Sequence, residues 1–278
     1  MSLEVRIQSM QYDPPRPELR ARWLRRALRL PPLATSDCVI KDFSLTVKKG
    51  EVVALVGATG AGKTSLLRII AGLERGFQGS VCLDGEDIAK PNRRIYLLPQ
   101  THTLLPWLSV GRNLQFNMGE GNGTSTAHEL LRTFGMLDKR DSYPHSLSGG
   151  ERARVALMCA MCANPQVILL DEPFRGLDQI TKEKCIDDFC QWLETTEEDE
   201  TTILVSHDIC DAVVLANRVI VVRRSPLSIY KEFPRAAPMG RRSTEALERE
   251  KQVLDALMEV TSRKLPNRTL VAPSARTL

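Results

Sequence analysis

No uninterrupted apolar stretch in this chain of 278 residues is longer than Val155–Ala163, far short of the roughly 20 residues that cross a bilayer. Nothing here spans a membrane by itself. A disulfide framework is also missing, since seven cysteines make an odd count without framework spacing. The single CxxC, Cys159 to Cys162, lies in a run of Ala, Leu and Met that reads as a packed helix. A zinc site would need a second ligand pair, and none of the four histidines stands at a suitable spacing. The N-terminal residues carry Glu4 and Arg6 where an export signal would need an apolar stretch. Reduced core cysteines and a cytosolic location are therefore expected. Internal repeats are absent too. Hydrophobic residues are 42% and charged residues 26% of the chain, close to ordinary globular usage, which excludes disordered and collagen-like chains.

The net charge of +4 is unevenly placed. Between Pro14 and Ser36 stand six arginines against one acid, Glu18, so that segment carries +5 and the remainder sums to about −1. A nucleic-acid-coating protein would spread its charge over a working face, so no nucleic-acid partner is expected. Prolines bound the segment on both sides, at Pro14, Pro15 and Pro17 and again at Pro31 and Pro32, which marks an insertion. Its Leu19, Trp23, Ala27 and Leu30 fall at three- or four-residue spacing among arginines, the pattern of a basic amphipathic helix. Such a helix could lie on anionic lipid or a membrane partner, or cover the subunit's own surface.

Elsewhere the chain alternates. Leu3, Val5 and Ile7 form a period-two strand pattern, and Phe43–Val47 is a second strand. Val52–Val56, Ile95–Leu98, Val167–Leu170, Ile203–Val205 and Val219–Val222 are continuous apolar runs of the kind buried on both faces of a sheet. Helical patterns separate several of them, which predicts a parallel sheet with crossover helices. The stretch 101–150 lacks a good strand and reads as a mainly helical insert. Residues 195–202, rich in acid and threonine, read as a solvated loop.

Three motifs carry chemistry. Gly57-Ala58-Thr59-Gly60-Ala61-Gly62-Lys63-Thr64-Ser65 follows the buried strand Val52–Val56 and opens a helix. Small residues let backbone N–H groups face a triphosphate, and the helix dipole adds positive potential. Lys63 supplies charge to the phosphates and the Thr64 hydroxyl can ligate Mg²⁺. Val167–Leu170 carries Asp171 and Glu172 to a strand end, Asp171 for Mg²⁺ and Glu172 to polarise an attacking water. Between them lies Leu147-Ser148-Gly149-Gly150-Glu151, opening another helix.

In this order the motifs resemble the ATP-binding subunit of ATP-binding cassette (ABC) transporters, across residues 37–235. The resemblance implies an α/β P-loop NTPase fold: a mostly parallel sheet core, an antiparallel β part and a helical subdomain. It implies an ATPase domain over 1–235, with the insertion at 14–36 and the helical subdomain with its signature motif at 101–150, then a helical extension and tail at 236–278. Gln100 matches the glutamine that senses Mg²⁺ and γ-phosphate, and His207, after a strand, matches the switch histidine. Gly176-Leu177-Asp178 matches the loop that crosses to a partner subunit, with glycine where a small residue such as alanine is usual. Ser148, Gly149 and Gly150 of one subunit would cap the ATP held by the other in a head-to-tail dimer. The adenine would stack on Tyr12, with Trp23 as a competitor. Glu151 stands where glutamine is commoner.

Leu104-Leu105-Pro106-Trp107, past Gln100, resembles the nitrate, sulfonate and taurine importers. So does Asp171-Glu172-Pro173-Phe174, and so does a C-terminal helix with Leu247, Leu254, Leu257 and Val260. Trp107 could equally be a packing residue. The resemblance implies a peripheral subunit on the cytoplasmic side of the membrane, with ATP and Mg²⁺ as cofactors. Its partners would be permease subunits, a second ATPase subunit and a separate solute-binding protein. An exporter or lipid-trafficking cassette, or a soluble non-transport one, is the alternative.

Overall fold

The computed structural model describes residues 2–12, 38–101, 104–118, 123–195, 200–224, 226–234 and 244–262. The Arg-rich segment 14–36, with Trp23, lies outside the described residues.

Among the described residues, ten strands form two sheets. β1 (Ser2–Gln11), β2 (Cys38–Lys48), β4 (Phe77–Leu83) and β5 (Glu86–Asp87) make an antiparallel sheet in the order β2-β1-β4-β5. The second sheet runs β10-β9-β3-β8-β7-β6, from β3 (Val52–Val56), β6 (Ile95–Leu98), β7 (Val167–Asp171), β8 (Thr201–Ser206), β9 (Arg218–Arg223) and β10 (Ser228–Pro234). Every pair in it is parallel except β9 with β10. The continuous apolar strands therefore sit where both faces are covered.

Alternation along those strands divides the core. Val53, Leu55, Leu169, Ile203, Val205, Ile220 and Val222 face one cluster, which they share with the antiparallel sheet and α1 (Lys63–Ile70). Val52, Ala54, Val56, Ile168, Leu170, Leu204, Val219 and Val221 face the other. That second cluster includes residues of α2 (Val110–Asn117), α3 (Gly123–Thr133), α4 (Gly149–Cys162), α5 (Gln179–Thr195), α6 (Ile209–Leu215) and α7 (Thr244–Ser262). Period-two side-chain direction thus packs the helical unit on one face and the antiparallel sheet on the other.

The stretch 101–150 holds α2, α3 and two short 3₁₀ turns, Leu137–Lys139 and Pro144–Ser146, and no strand among its described residues. Two expectations need correction. The run 195–202 is not solvated to its end: Glu200, Thr201 and Thr202 are buried, and β8 begins at Thr201, whose N–H bonds the Gln166 carbonyl. β-branched threonines suit a strand better than a loop. On helix α7, Leu257 and Val260 pack partly buried against the core. Val253, Ala256 and Arg249 face inward, whereas Leu247 and Leu254 are exposed. Arg249 fixes this phase by donating to the carbonyls of Ala216 (3.1 Å), Asn217 (3.3 Å) and Phe233 (2.8 Å). Finally, Trp107 is 69% exposed among the described residues rather than packed beneath the helical unit.

All seven cysteines are free. Cys159, Cys162 and Cys185 are buried, and burial pushes the Cys162 thiol up to about 12. Cys210 departs from the core reading: it is exposed, and its thiol donates to Glu250 Oε1 at 3.0 Å.

Candidate active site

The C-terminal ends of β3, β6, β7 and β8 lie along one edge of the parallel sheet, the edge where open α/β sheets bind ligands. β3 delivers Gly57–Gly62, β6 delivers Gln100, β7 delivers Asp171 and Glu172, and β8 delivers His207.

The glycine loop is built by close approach and left-handed backbone. A Cβ on Gly57 would lie 2.7 Å from Val222 Cγ2 and 2.9 Å from the Val222 carbonyl oxygen on β9. Gly62, at φ 102°, is the residue that turns the loop into α1. Ala58, Thr59, Gly60 and Ala61 span the loop between them, and the N–H of Ala61 bonds the Ala58 carbonyl at 3.2 Å. Lys63 is buried, with its ammonium donating to the carbonyls of Gly57 (2.7 Å) and Ala58 (3.0 Å). Burial lowers its pKa, opposed by the charges of Glu172 and Asp171. The ammonium is therefore folded over the loop that would hold the phosphates.

Thr64 donates its hydroxyl to Asp171 Oδ2 at 2.8 Å. Burial raises the Asp171 pKa, and the Thr64 bond opposes that rise. Hydroxyl, carboxylate and the Gln100 amide are the hard oxygen donors Mg²⁺ takes, with phosphate and water completing its shell. Among the described residues no group of three His, Cys, Asp or Glu could hold a metal without such help. The donor set fits Mg²⁺ carried by a nucleotide.

Glu172 is a non-glycine residue at φ 52°, a left-handed backbone of the kind that persists where surroundings enforce it. Its N–H bonds the Val205 carbonyl at 2.9 Å. Its carboxylate takes three partners. His207 Nδ1 lies 2.8 Å from Oε1, while Gln100 Nε2 (2.9 Å) and Arg175 Nη1 (3.1 Å) donate to Oε2. Burial raises its pKa, but the bonds from Gln100 and His207, with the charges of His207 and Arg175, outweigh it. The carboxyl sits below its usual range. A carboxylate kept ionised at this edge can accept a proton from water.

Tyr12, just past β1, is 46% exposed, and its hydroxyl lies 3.1 Å from Ser65 Oγ at the start of α1. An exposed ring is thereby held beside the glycine loop. Its competitor Trp23 falls outside the described residues.

Ser148 caps α4 in a reciprocal pair with Glu151. Ser148 Oγ accepts from the Glu151 N–H (3.2 Å), and Glu151 Oε2 accepts from the Ser148 N–H (2.7 Å). That backbone bond chiefly holds the Glu151 carboxyl below its ordinary range. Glutamate in place of the commoner glutamine thus completes the cap and stands 3.5 Å from Lys139 Nζ. Gly149 has open space where a Cβ would point, while a Cβ on Gly150 would touch Thr181 (3.2 Å) and Leu177 (3.5 Å). The signature turn therefore abuts the loop Gly176–Asp178. There Gly176 has φ 77°, a conformation alanine resists, and the Asp178 side chain accepts from the Thr181 N–H at 3.0 Å to start α5.

Motif reading missed two residues. Arg175 reaches Glu172 from three positions on, a spacing that could have flagged it. Arg224, just past β9, places its guanidinium 3.7 Å from where a Gly60 Cβ would stand, and nothing in the linear sequence marks it.

A glycine loop between strand and helix, an acidic pair ending a strand two places along the sheet, and a Ser-Gly-Gly helix start define a P-loop nucleoside triphosphatase of the cassette type. Comparison with known proteins narrows this. Residues 40–175 match the ABC transporter family. The chain is 38% identical over 203 residues to the aliphatic sulfonates import ATP-binding protein SsuB of Zymomonas mobilis, covering 72% of this chain and 82% of that one. It is 39% identical over 218 residues to SsuB 1 of Xanthomonas axonopodis pv. citri, covering 75% and 85%. The SsuB of Pectobacterium atrosepticum is 34% identical over 238 residues, covering 84% and 86%. A solved dimeric ATP-binding cassette, MJ0796 bound to ADP and Pi, has the same fold, with a TM-score of 0.69 at 24% identity, covering 84% of this chain and all of that one. The chain belongs to the ATP-binding subunits of ABC transporters, and it is an ATPase that energises transport.

Proposed function

We propose that this subunit drives import of an aliphatic sulfonate or a similar small anionic solute, as a head-to-tail pair of cassettes bound to permease subunits on the cytoplasmic face of the membrane. A separate solute-binding protein would deliver the solute. The observation that carries the reading is the convergence of Lys63, Thr64, Gln100, Asp171, Glu172 and His207 on one sheet edge, together with relatives that are themselves sulfonate-import subunits. Among the described residues no helix is long and apolar enough to cross a membrane, so coupling would need a permease. Trp107 and Phe116, 69% and 68% exposed on the helical unit, are apolar surface of the kind a partner covers.

In this mechanism Lys63 leaves the loop carbonyls for the β and γ phosphates, and the loop N–H groups of 58–65 take the remaining oxygens. Tyr12 stacks on the adenine. Thr64 and Asp171 would hold Mg²⁺ with Gln100, and the ion would neutralise phosphate charge. Glu172 takes a proton from the attacking water, and His207 orients it against the γ-phosphate. Ser148, Gly149 and Gly150 of the partner close over the phosphates with a second helix N-terminus, while Asp178 sits at the subunit junction. Tagged protein recovered from its own membranes should bring down permease subunits. In proteoliposomes, solute-binding protein loaded with an alkanesulfonate should stimulate its phosphate release. Recovery without a permease, or indifference to alkanesulfonates, would overturn the reading.

A further inference from the structure

We propose that Arg175 is a positioning residue that restrains the carboxylate of Glu172 while a subunit is apart from its partner and yields it when two subunits close. This rests on the reading of Glu172 as the group that takes a proton from water.

A carboxylate oxygen offers two acceptor positions. On Glu172 Oε2 both are filled, by Gln100 Nε2 at 2.9 Å and Arg175 Nη1 at 3.1 Å, and His207 holds Oε1. A water that bonds Oε2 must displace Gln100 or Arg175, while Oε1 keeps one acceptor position beside His207. Gln100 and His207 extend from ends of the parallel strands, whereas Arg175 comes from the loop after β7 and its side chain is 56% exposed. His207 is nearly as exposed, at 49%, so what sets Arg175 apart is its place on a loop rather than just past a strand end.

The loop is built to let it go. Phe174, before it, is buried and anchors one end. Gly176, after it, has φ 77° and open space where a Cβ would stand, so the next peptide can turn without a side chain in the way. Leu177 and Thr181 then lie beside the signature turn, 3.5 and 3.2 Å from where a Gly150 Cβ would stand. A movement of Gly176–Asp178 against an incoming subunit acts directly on the backbone that carries Arg175. The ion pair therefore opposes closure in the lone chain, and closure opens it.

The test is ATP-driven dimerisation of full-length protein, followed by light scattering with ATP and a chelator so that turnover is absent. Four chains are compared: wild type, Arg175→Ala, Glu172→Gln and the double variant. With Glu172 present, Arg175→Ala should strengthen dimerisation about two- to fivefold, the span of an exposed ion pair. In the Glu172→Gln background the same change should do nothing, because the pair is already lost. With Mg-ATP, Arg175→Ala should raise kcat by a similar factor at unchanged KM, and Arg175→Lys should return it toward wild type. Equal effects in both backgrounds, weakened dimerisation, or no effect would overturn the proposal. A Glu172→Gln chain that keeps turning over would instead sink the role of Glu172, and this inference with it.

Discussion

Replacing Gly57 by alanine puts one methyl group where the structure has no room. The added Cβ would stand 2.7 Å from Val222 Cγ2 and 2.9 Å from the Val222 carbonyl oxygen, and both belong to β9 in the middle of a covered face. Val222 is only 1% exposed and cannot withdraw into solvent. The loop must move instead, by several tenths of an ångström, at about 1–3 kcal/mol for overpacking of this kind. The same shift carries the N–H groups of 58–62 away from the phosphates, so nucleotide binding weakens along with the fold. Urea unfolding with and without ATP separates the two effects. Wild type at a hundredfold excess over its dissociation constant should gain about 2.7 kcal/mol from ATP, and Gly57→Ala should start lower and gain much less. Gly149→Ala is the contrast, since nothing lies near its Cβ. It should match or exceed wild type in stability, because alanine is the better helix former, yet fail to dimerise with ATP. A Gly57→Ala chain with wild-type stability and full ATP stabilisation would refute the packing argument.

Three other substitutions probe separate parts of the structure. Lys63→Ala should abolish most ATP binding, measured with a fluorescent nucleotide, because it removes the ammonium poised over Gly57 and Ala58. Arg249→Met should destabilise by about 2–4 kcal/mol in urea, since three carbonyls lose a charged donor while the cost of burying a guanidinium is relieved. The Glu151 carboxyl is held below its usual range. Its contribution to stability is therefore present at neutral pH and lost as pH falls below the unfolded value of about 4.3 through the folded one. Glu151→Gln should be the weaker chain at pH 7, and the difference between the two unfolding curves should shrink as pH falls through the lowered folded value.

Much of this site could be read from the sequence because its residues terminate strands buried on both faces. Val52–Val56 and Val167–Leu170 are continuous apolar runs, and the residues just past such a run must emerge at the sheet edge. Other parts were hidden for physical reasons. The pairing of β1 with both β2 and β4 depends on long-range register, and β10 returns antiparallel to β9 with no linear signal. The phase of α7 is set by Arg249 bonding distant carbonyls, a contact with no linear signal. The exposed Trp107 and the Arg175–Glu172 pair depend on how loops turn, and Gly176 and Glu172 turn theirs with positive φ. Glu151 looked like a departure in the motif, yet it completes a helix cap.

The most direct test of the account is phosphate release by wild type and Glu172→Gln, measured with Mg-ATP together with the ATP retained per chain. The account predicts that the variant keeps ATP bound while turnover falls at least about a hundredfold, the contribution of a positioned general base. Turnover within a few-fold of wild type would contradict it.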